Sequence, residues 1–123
     1  MGIVALRFRP APEHVRTARL VAVAVARRAG LDEERLDEVR LAVGEVCARA
    51  VRRCEASGVT SGVLVELDDG QPCLRVQVTD HAAGRLEDEE PVALALVRGL
   101  ADDVTVVDGP GGQGGVLRMS WAR

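Results

Sequence analysis

DEERLDEVRLAVGEVCARAVRRC, residues Asp32 to Cys54, decides how the rest of the chain can fold. Asp32 is placed to cap the first amides of a helix, and Glu33 and Glu34 suit its positive end. Leu36, Val39, Val43, Val46, Cys47, Ala50 and Cys54 recur at spacings of three and four, which gives one apolar face. Leu41 and Ala48 point elsewhere, so the helix is expected to be covered on more than one side. Glu38, Glu45 and Arg49 fall on a third stripe. A carboxylate in so apolar a helix needs a partner, and Arg49 stands one turn on. Glu45 is therefore either a catalytic base or half of an ion pair with Arg49.

The chain around this helix has 123 residues, enough for one domain with a proper core. Apolar residues make up 47% and aromatic residues 2%, so the core has to be built from Val, Leu and Ala. A net charge of −3 with both signs interspersed gives no electrostatic case for nucleic acid. All 16 basic residues are Arg, and the chain has no Lys, Asn or Tyr. Without Lys there is no Walker-type phosphate loop and no Schiff base. Cys47, Cys54 and Cys73 lack metal-ligand spacing, and two of them lie on the core face of the helix, so buried free thiols are expected. The sequence shows no signal peptide or membrane span, which reads as a cytoplasmic protein without a membrane partner.

Before the central helix, Ile3 to Phe8 alternate as a short strand. A helix is expected from Pro12 to about Ala29, stopped by Gly30. Val15, Ala18, Ala22, Val25, Ala26 and Ala29 form its core stripe, and Leu20, Val23 and Ala24 a second stripe on the far side. After the central helix, Glu55 to Gly58 reads as a loop. Val63, Val65 and Leu67 then alternate, Asp68-Asp69-Gly70 turns, and Leu74, Val76 and Val78 alternate back. The acidic run Glu87 to Glu90 leads into a helix from Pro91 to Ala101. Strands at Val104–Val107 and Val116–Trp121 flank the glycine-rich stretch Gly109 to Gly115, either a flexible hairpin tip or a phosphate cradle. The order is β-α-α-β-β-α-β-β. It implies an α+β two-layer sandwich of one domain, residues 1–123, with a mixed, mostly antiparallel five-stranded sheet and helices on one face.

With these elements placed, the chain resembles the anti-sigma factor serine kinases of the histidine-kinase-like ATPase superfamily. The resemblance runs from about Arg7 to Trp121 and is carried by LAVGEVCARAV, VTDHAAG and ALVRGLADDVTVVDGPGGQGGVLRMSW. It implies a sandwich that binds ATP and magnesium between the central helix, the sheet and a lid loop. It also implies a protein that holds a sigma factor inactive and phosphorylates a serine on a small antagonist protein. Glu45 matches the family's general base, and Asp80 the carboxylate that reads the adenine amino group. The sequence departs from the family at the other nucleotide contacts. Arg49 stands where the family has the Asn that coordinates magnesium, and Ala82 where it has the first glycine of the motif that ends at Gly84. The phosphate-binding glycines fall on Pro91-Val92-Ala93-Leu94, where Pro91 has no amide to donate. The expected Thr falls on Gly115. Phosphoryl transfer depends on positioning and charge neutralisation by metal and donors, so these departures imply weak or no ATP binding and no cofactor or metal.

Two classes of function follow. One is a binding module that grips a sigma factor, an anti-sigma antagonist protein or both without turnover. The other is an active serine kinase acting on the antagonist. The family commonly forms dimers, and the Leu20, Val23 and Ala24 stripe is the candidate surface for a homodimer.

Overall fold

The computed structural model describes residues 2–70, 72–82, 91–109, 111 and 114–123. The acidic run Glu87 to Glu90 and the nucleotide-position residue Gly84 lie outside the described residues. The elements are β1 (Ile3–Phe8), α1 (Glu13–Arg28), α2 (Glu33–Ser57), β2 (Val63–Asp68), β3 (Cys73–Asp80), α3 (Pro91–Leu100), β4 (Asp103–Asp108) and β5 (Gly115–Ala122). The sheet order is β1-β2-β3-β5-β4. All four pairings are antiparallel, which is the α+β two-layer arrangement expected, without the parallel pair that a mixed sheet would contain.

The alternation read from the sequence sets the two faces of the sheet. Val63, Val65, Leu67, Leu74, Val76, Val78, Leu117, Met119 and Trp121 are buried under the helices. Burying one such side chain contributes roughly 1.5–3 kcal/mol, so this face is the main source of stability. The other face carries polar residues: Arg118 Nε donates to Gln77 Oε1 at 2.6 Å, and Gln77 Nε2 to Glu66 Oε1 at 3.2 Å. Trp121 is fully buried, and its indole N–H donates to Leu100 O at 3.0 Å, so the polar atom of this large core aromatic is also satisfied.

Helix α2 begins as expected, with the Asp32 side chain accepting from Arg35 N at 2.9 Å. It ends later. Glu55, Ala56 and Ser57 remain helical, and Gly58, at φ 69°, supplies the left-handed stop. Glu55 and Ala56 carry no breaking signal, so the loop expected there is instead the last turn. The helix is also less enclosed than expected: Leu41 remains 59% exposed. In α1, Ala18, Ala22 and Ala26 are fully buried and let α1 and α2 approach closely. Val23 is buried too, which corrects its assignment to an outer stripe; Leu20 and Ala24 stay exposed.

Asp102, after α3, ties three parts of the fold together. Its Oδ1 accepts from Arg35 Nη1 at 2.8 Å and its Oδ2 from Ala122 N at 2.7 Å. The Arg35 hydrogen bond, followed by the Ala122 amide, holds the Asp102 carboxyl below the ordinary carboxylate value. A depressed folded-state value contributes stability that is complete above the unfolded value, near pH 4, and is lost as the pH falls through the folded value. Asp102 is 38% exposed on its side chain, so solvent screening holds the contribution below about 1 kcal/mol. Asp102→Asn is expected to lower stability slightly at pH 7 and to flatten the fall in stability below pH 4. Urea melts at pH 7 and at two acidic pH values check this, and parallel pH curves for parent and variant would contradict it.

Candidate functional site

Glu45, Arg49 and Arg53 follow one another at intervals of four residues along α2, so they share a stripe. Their depths differ. Glu45 is partly exposed, whereas Arg49 and Arg53 are each 3% exposed. The strand facing them is β3, which ends on Asp80, itself 4% exposed. Arg53 Nε lies 3.4 Å from Asp80 Oδ2, an ion pair with both side chains inside the protein. The other carboxylate oxygen, Oδ1, accepts the Ala82 backbone N–H at 2.9 Å. Each oxygen of the carboxylate assigned to adenine recognition therefore already has a donor or cation from the chain itself.

The glycine-rich stretch meets the same place. Gly114 N donates to Ala82 O, and Gly109 N donates to Gly114 O at 3.1 Å. Gly114 has φ +68°, and a Cβ there would run into Asp80 O. Glycine is required for that close approach. Gly115 follows inside β5, in register with Asp80 on one side and Asp108 on the other. The described part of this stretch therefore closes a hairpin onto the end of β3.

The structure thus brings together Asp80, Ala82 and Gly115 from the predicted positions, with Glu45 and Arg49 on the facing helix. Val92 is 81% exposed on α3 and Ala93 is 8% exposed. The expected pairing on α2 is corrected. The Glu45 carboxylate pairs with Arg52, whose Nη2 donates to Oε2 at 3.2 Å, two turns on rather than one. Arg49 lies too deep to share that partly exposed position. Sequence reasoning missed Arg53 altogether. Its only signal is the interval of four residues beyond Arg49, which places a further charge on a core-facing stripe.

The cysteines behave as buried free thiols where they lie in α2. Cys47 and Cys54 are buried and Cys73 is intermediate. Burial pushes the Cys47 thiol up to about 12. Burial, then the Asp80 charge, raises Cys54 as well, against the opposing effect of the His81 N–H. Neither thiol in α2 is primed as a nucleophile. Among the described residues no group of three or more His, Cys, Asp or Glu is placed to hold a metal ion. Nor is any helix among them long and apolar enough to cross a membrane.

This two-layer architecture, with a central helix facing the end of a β-strand and a glycine hairpin, is that of the histidine-kinase-like ATPases. Residues 8–121 match the family described as Histidine kinase-like ATPase domain, and the chain belongs to that family. A solved structure described as the RsbU and RsbW domains of Rv1364c from Mycobacterium tuberculosis shares the fold, with a TM-score of 0.77 and 20% identity. The alignment covers 99% of this chain and 32% of that one, so the present chain spans about a third of its solved relative. No curated protein matches the chain.

Breaking a buried ion pair from one side leaves an uncompensated charge and costs about 3–5 kcal/mol. Arg53→Met is therefore expected to destabilise the protein by roughly that amount. Asp80→Asn added to it removes the stranded carboxylate and should recover part of the loss. Urea melts of both single variants and the double variant measure the coupling; strictly additive effects would show that the two side chains do not stabilise each other.

Proposed function

We propose that this chain is an anti-sigma-type regulatory domain that binds a sigma factor, an anti-sigma antagonist protein or both, with weak or no ATP binding. The observation that carries this reading is the buried Arg53–Asp80 ion pair, which occupies the carboxylate the family uses to read adenine. The replacement of the magnesium-binding Asn by Arg49 supports it further. A fixed guanidinium repels a divalent cation, and the charge neutralisation that phosphoryl transfer needs is then missing. ATP and magnesium therefore do not fit the residues present, and no catalytic step is assigned to Glu45, whose carboxylate is engaged by Arg52. The fold shared with an RsbW-containing structure is consistent with an anti-sigma role.

The family's dimer is less well supported by the surface first assigned to it, since Val23 belongs to the core and only Leu20 and Ala24 remain outside. Binding through protein contacts alone requires no closed nucleotide lid. Capture of the sigma factor or antagonist is accordingly expected with or without ATP.

A micromolar site needs about 8 kcal/mol of binding free energy, and each lost hydrogen bond or charge contact removes about 1–3 kcal/mol. Calorimetry with magnesium-ATP should therefore give a dissociation constant in the millimolar range or weaker. A value below roughly ten micromolar, with phosphate transferred to a serine of the captured antagonist, would establish the kinase reading instead.

A further inference from the structure

The outer side of the helical layer has a charge pattern that the net charge conceals. Arg16, Arg19, Arg27, Arg40 and Arg52 are all exposed there. Two cavities follow the line where α1 meets α2. One, of about 590 Å³, has Val15, Ala48 and Val51 along its floor and Arg16, Arg19 and Arg52 around it. The other, of about 470 Å³, adds Leu20, Arg27 and Arg40. Arg16 and Arg19 line both, so the two are one groove with an apolar floor and a rim of five guanidiniums against two carboxylates, Glu13 and Glu55, which line the first cavity alone.

Arg27, Arg40 and Arg52 are paired with Glu33, Asp37 and Glu45. Arg16 and Arg19, at the junction of the two cavities, have no carboxylate partner among the described residues. Arg19 is seated by a specific feature of α2, because a Cβ at Gly44 would stand 2.7 Å from Arg19 Cδ. The missing side chain at Gly44 lets the Arg19 stem lie across α2 and keeps its charge at the groove.

From this geometry we infer that the α1–α2 groove docks an acidic amphipathic helix of a partner protein, with Glu45 holding Arg52 as the internal competitor for the partner's carboxylates. The inference rests on the reading of the chain as a protein-binding module and names the chemistry of what it binds. From Pro12 to Arg27 the groove runs about 22 Å at 1.5 Å per residue, the length of a helix of about four turns. Such a helix sets apolar anchors at i, i+4 and i+7 onto the floor and carboxylates on both flanks against the rim. Aligned charges of opposite sign steer the encounter and reject basic partners.

The test uses fluorescence anisotropy with a labelled 18-residue designed peptide (about five helical turns) that carries Leu anchors and flanking Glu, against the same peptide with Lys for Glu. The acidic peptide is expected to bind in the micromolar range and to weaken with added salt, and the Lys peptide should not bind. Arg16→Glu and Arg19→Glu should each weaken binding at least about tenfold, whereas Arg75→Glu, on the open sheet face, should not. Arg16 is exposed, so its variant remains informative if Arg19→Glu fails to fold. Glu45→Gln should tighten binding by about two- to fivefold, the scale of one exposed ion pair. Equal binding of the two peptides, indifference to both groove variants, or no effect of Glu45→Gln would overturn the inference. So would tighter binding of a single-stranded DNA oligomer, or a parent dimer in sedimentation that Arg16→Glu converts to monomer, since a second copy would then occupy the groove. Capture of a sigma factor or antagonist that Arg16→Glu leaves intact would refute the groove while leaving the binding-module reading in place.

Discussion

A helix that carries two guanidiniums into the protein interior constrains everything packed against it. Removing a charge from water costs several kcal/mol, and only a close opposite charge in good geometry offsets it. Arg53 on α2 therefore requires Asp80 at the end of β3. Asp80 is in turn fixed by the Ala82 amide, and the Ala82 carbonyl receives the amide of Gly114. Gly114 can make that contact only because it lacks a side chain and adopts a left-handed conformation. One electrostatic requirement on α2 thus reaches through an ion pair and two hydrogen bonds to the hairpin joining β4 and β5.

Much of this fold was legible before any coordinates, for physical reasons. Alternating Val and Leu can bury one side only as strands, and Asp32 marks the start of a helix by its own capping chemistry, whereas the end at Gly58 is missed because Glu55 to Gly58 reads as a loop. Contacts depending on three-dimensional proximity were not legible. Nothing local distinguishes Val23 from Leu20 as the residue that meets the core, since both lie off the alanine stripe. The one-turn spacing of Glu45 and Arg49 suggested a pair, but depth decided otherwise: the outer Arg52 reaches the partly exposed carboxylate, and Arg49 lies inside. The Arg53–Asp80 pair joins residues far apart in sequence, so no periodicity could reveal it. Asp80, Ala82 and Gly115, grouped in the sequence only through the family resemblance, lie together at the end of β3; Gly84 lies outside the described residues.

Net charge proved a poor guide to surface chemistry. The sum of −3 conceals the local arrangement: Arg16 and Arg19 stand exposed on α1 at the α1–α2 groove, with Glu13 and Glu55 beside it, and Arg75 and Arg118 share the open face of the sheet with Glu66, Asp68 and Asp103. A partner meets the local field and not the total. The interspersed signs read along the sequence therefore left the groove between α1 and α2 unforeseen.

On the proposed reading, loss of nucleotide chemistry and retention of the fold are physically compatible. A cleft built for ATP and magnesium holds carboxylates and amides that depend on the ligand or on water for their partners. In this chain the Asp80 carboxylate is satisfied from within, by Arg53 and by the Ala82 N–H. On the proposed reading, the stability of the β3 end and of the glycine hairpin then no longer varies with nucleotide concentration, because no ligand binds preferentially to the native state at that point. The surface formed by α1 and α2 lies on the outside of the same helix whose inner side carries the ion pair.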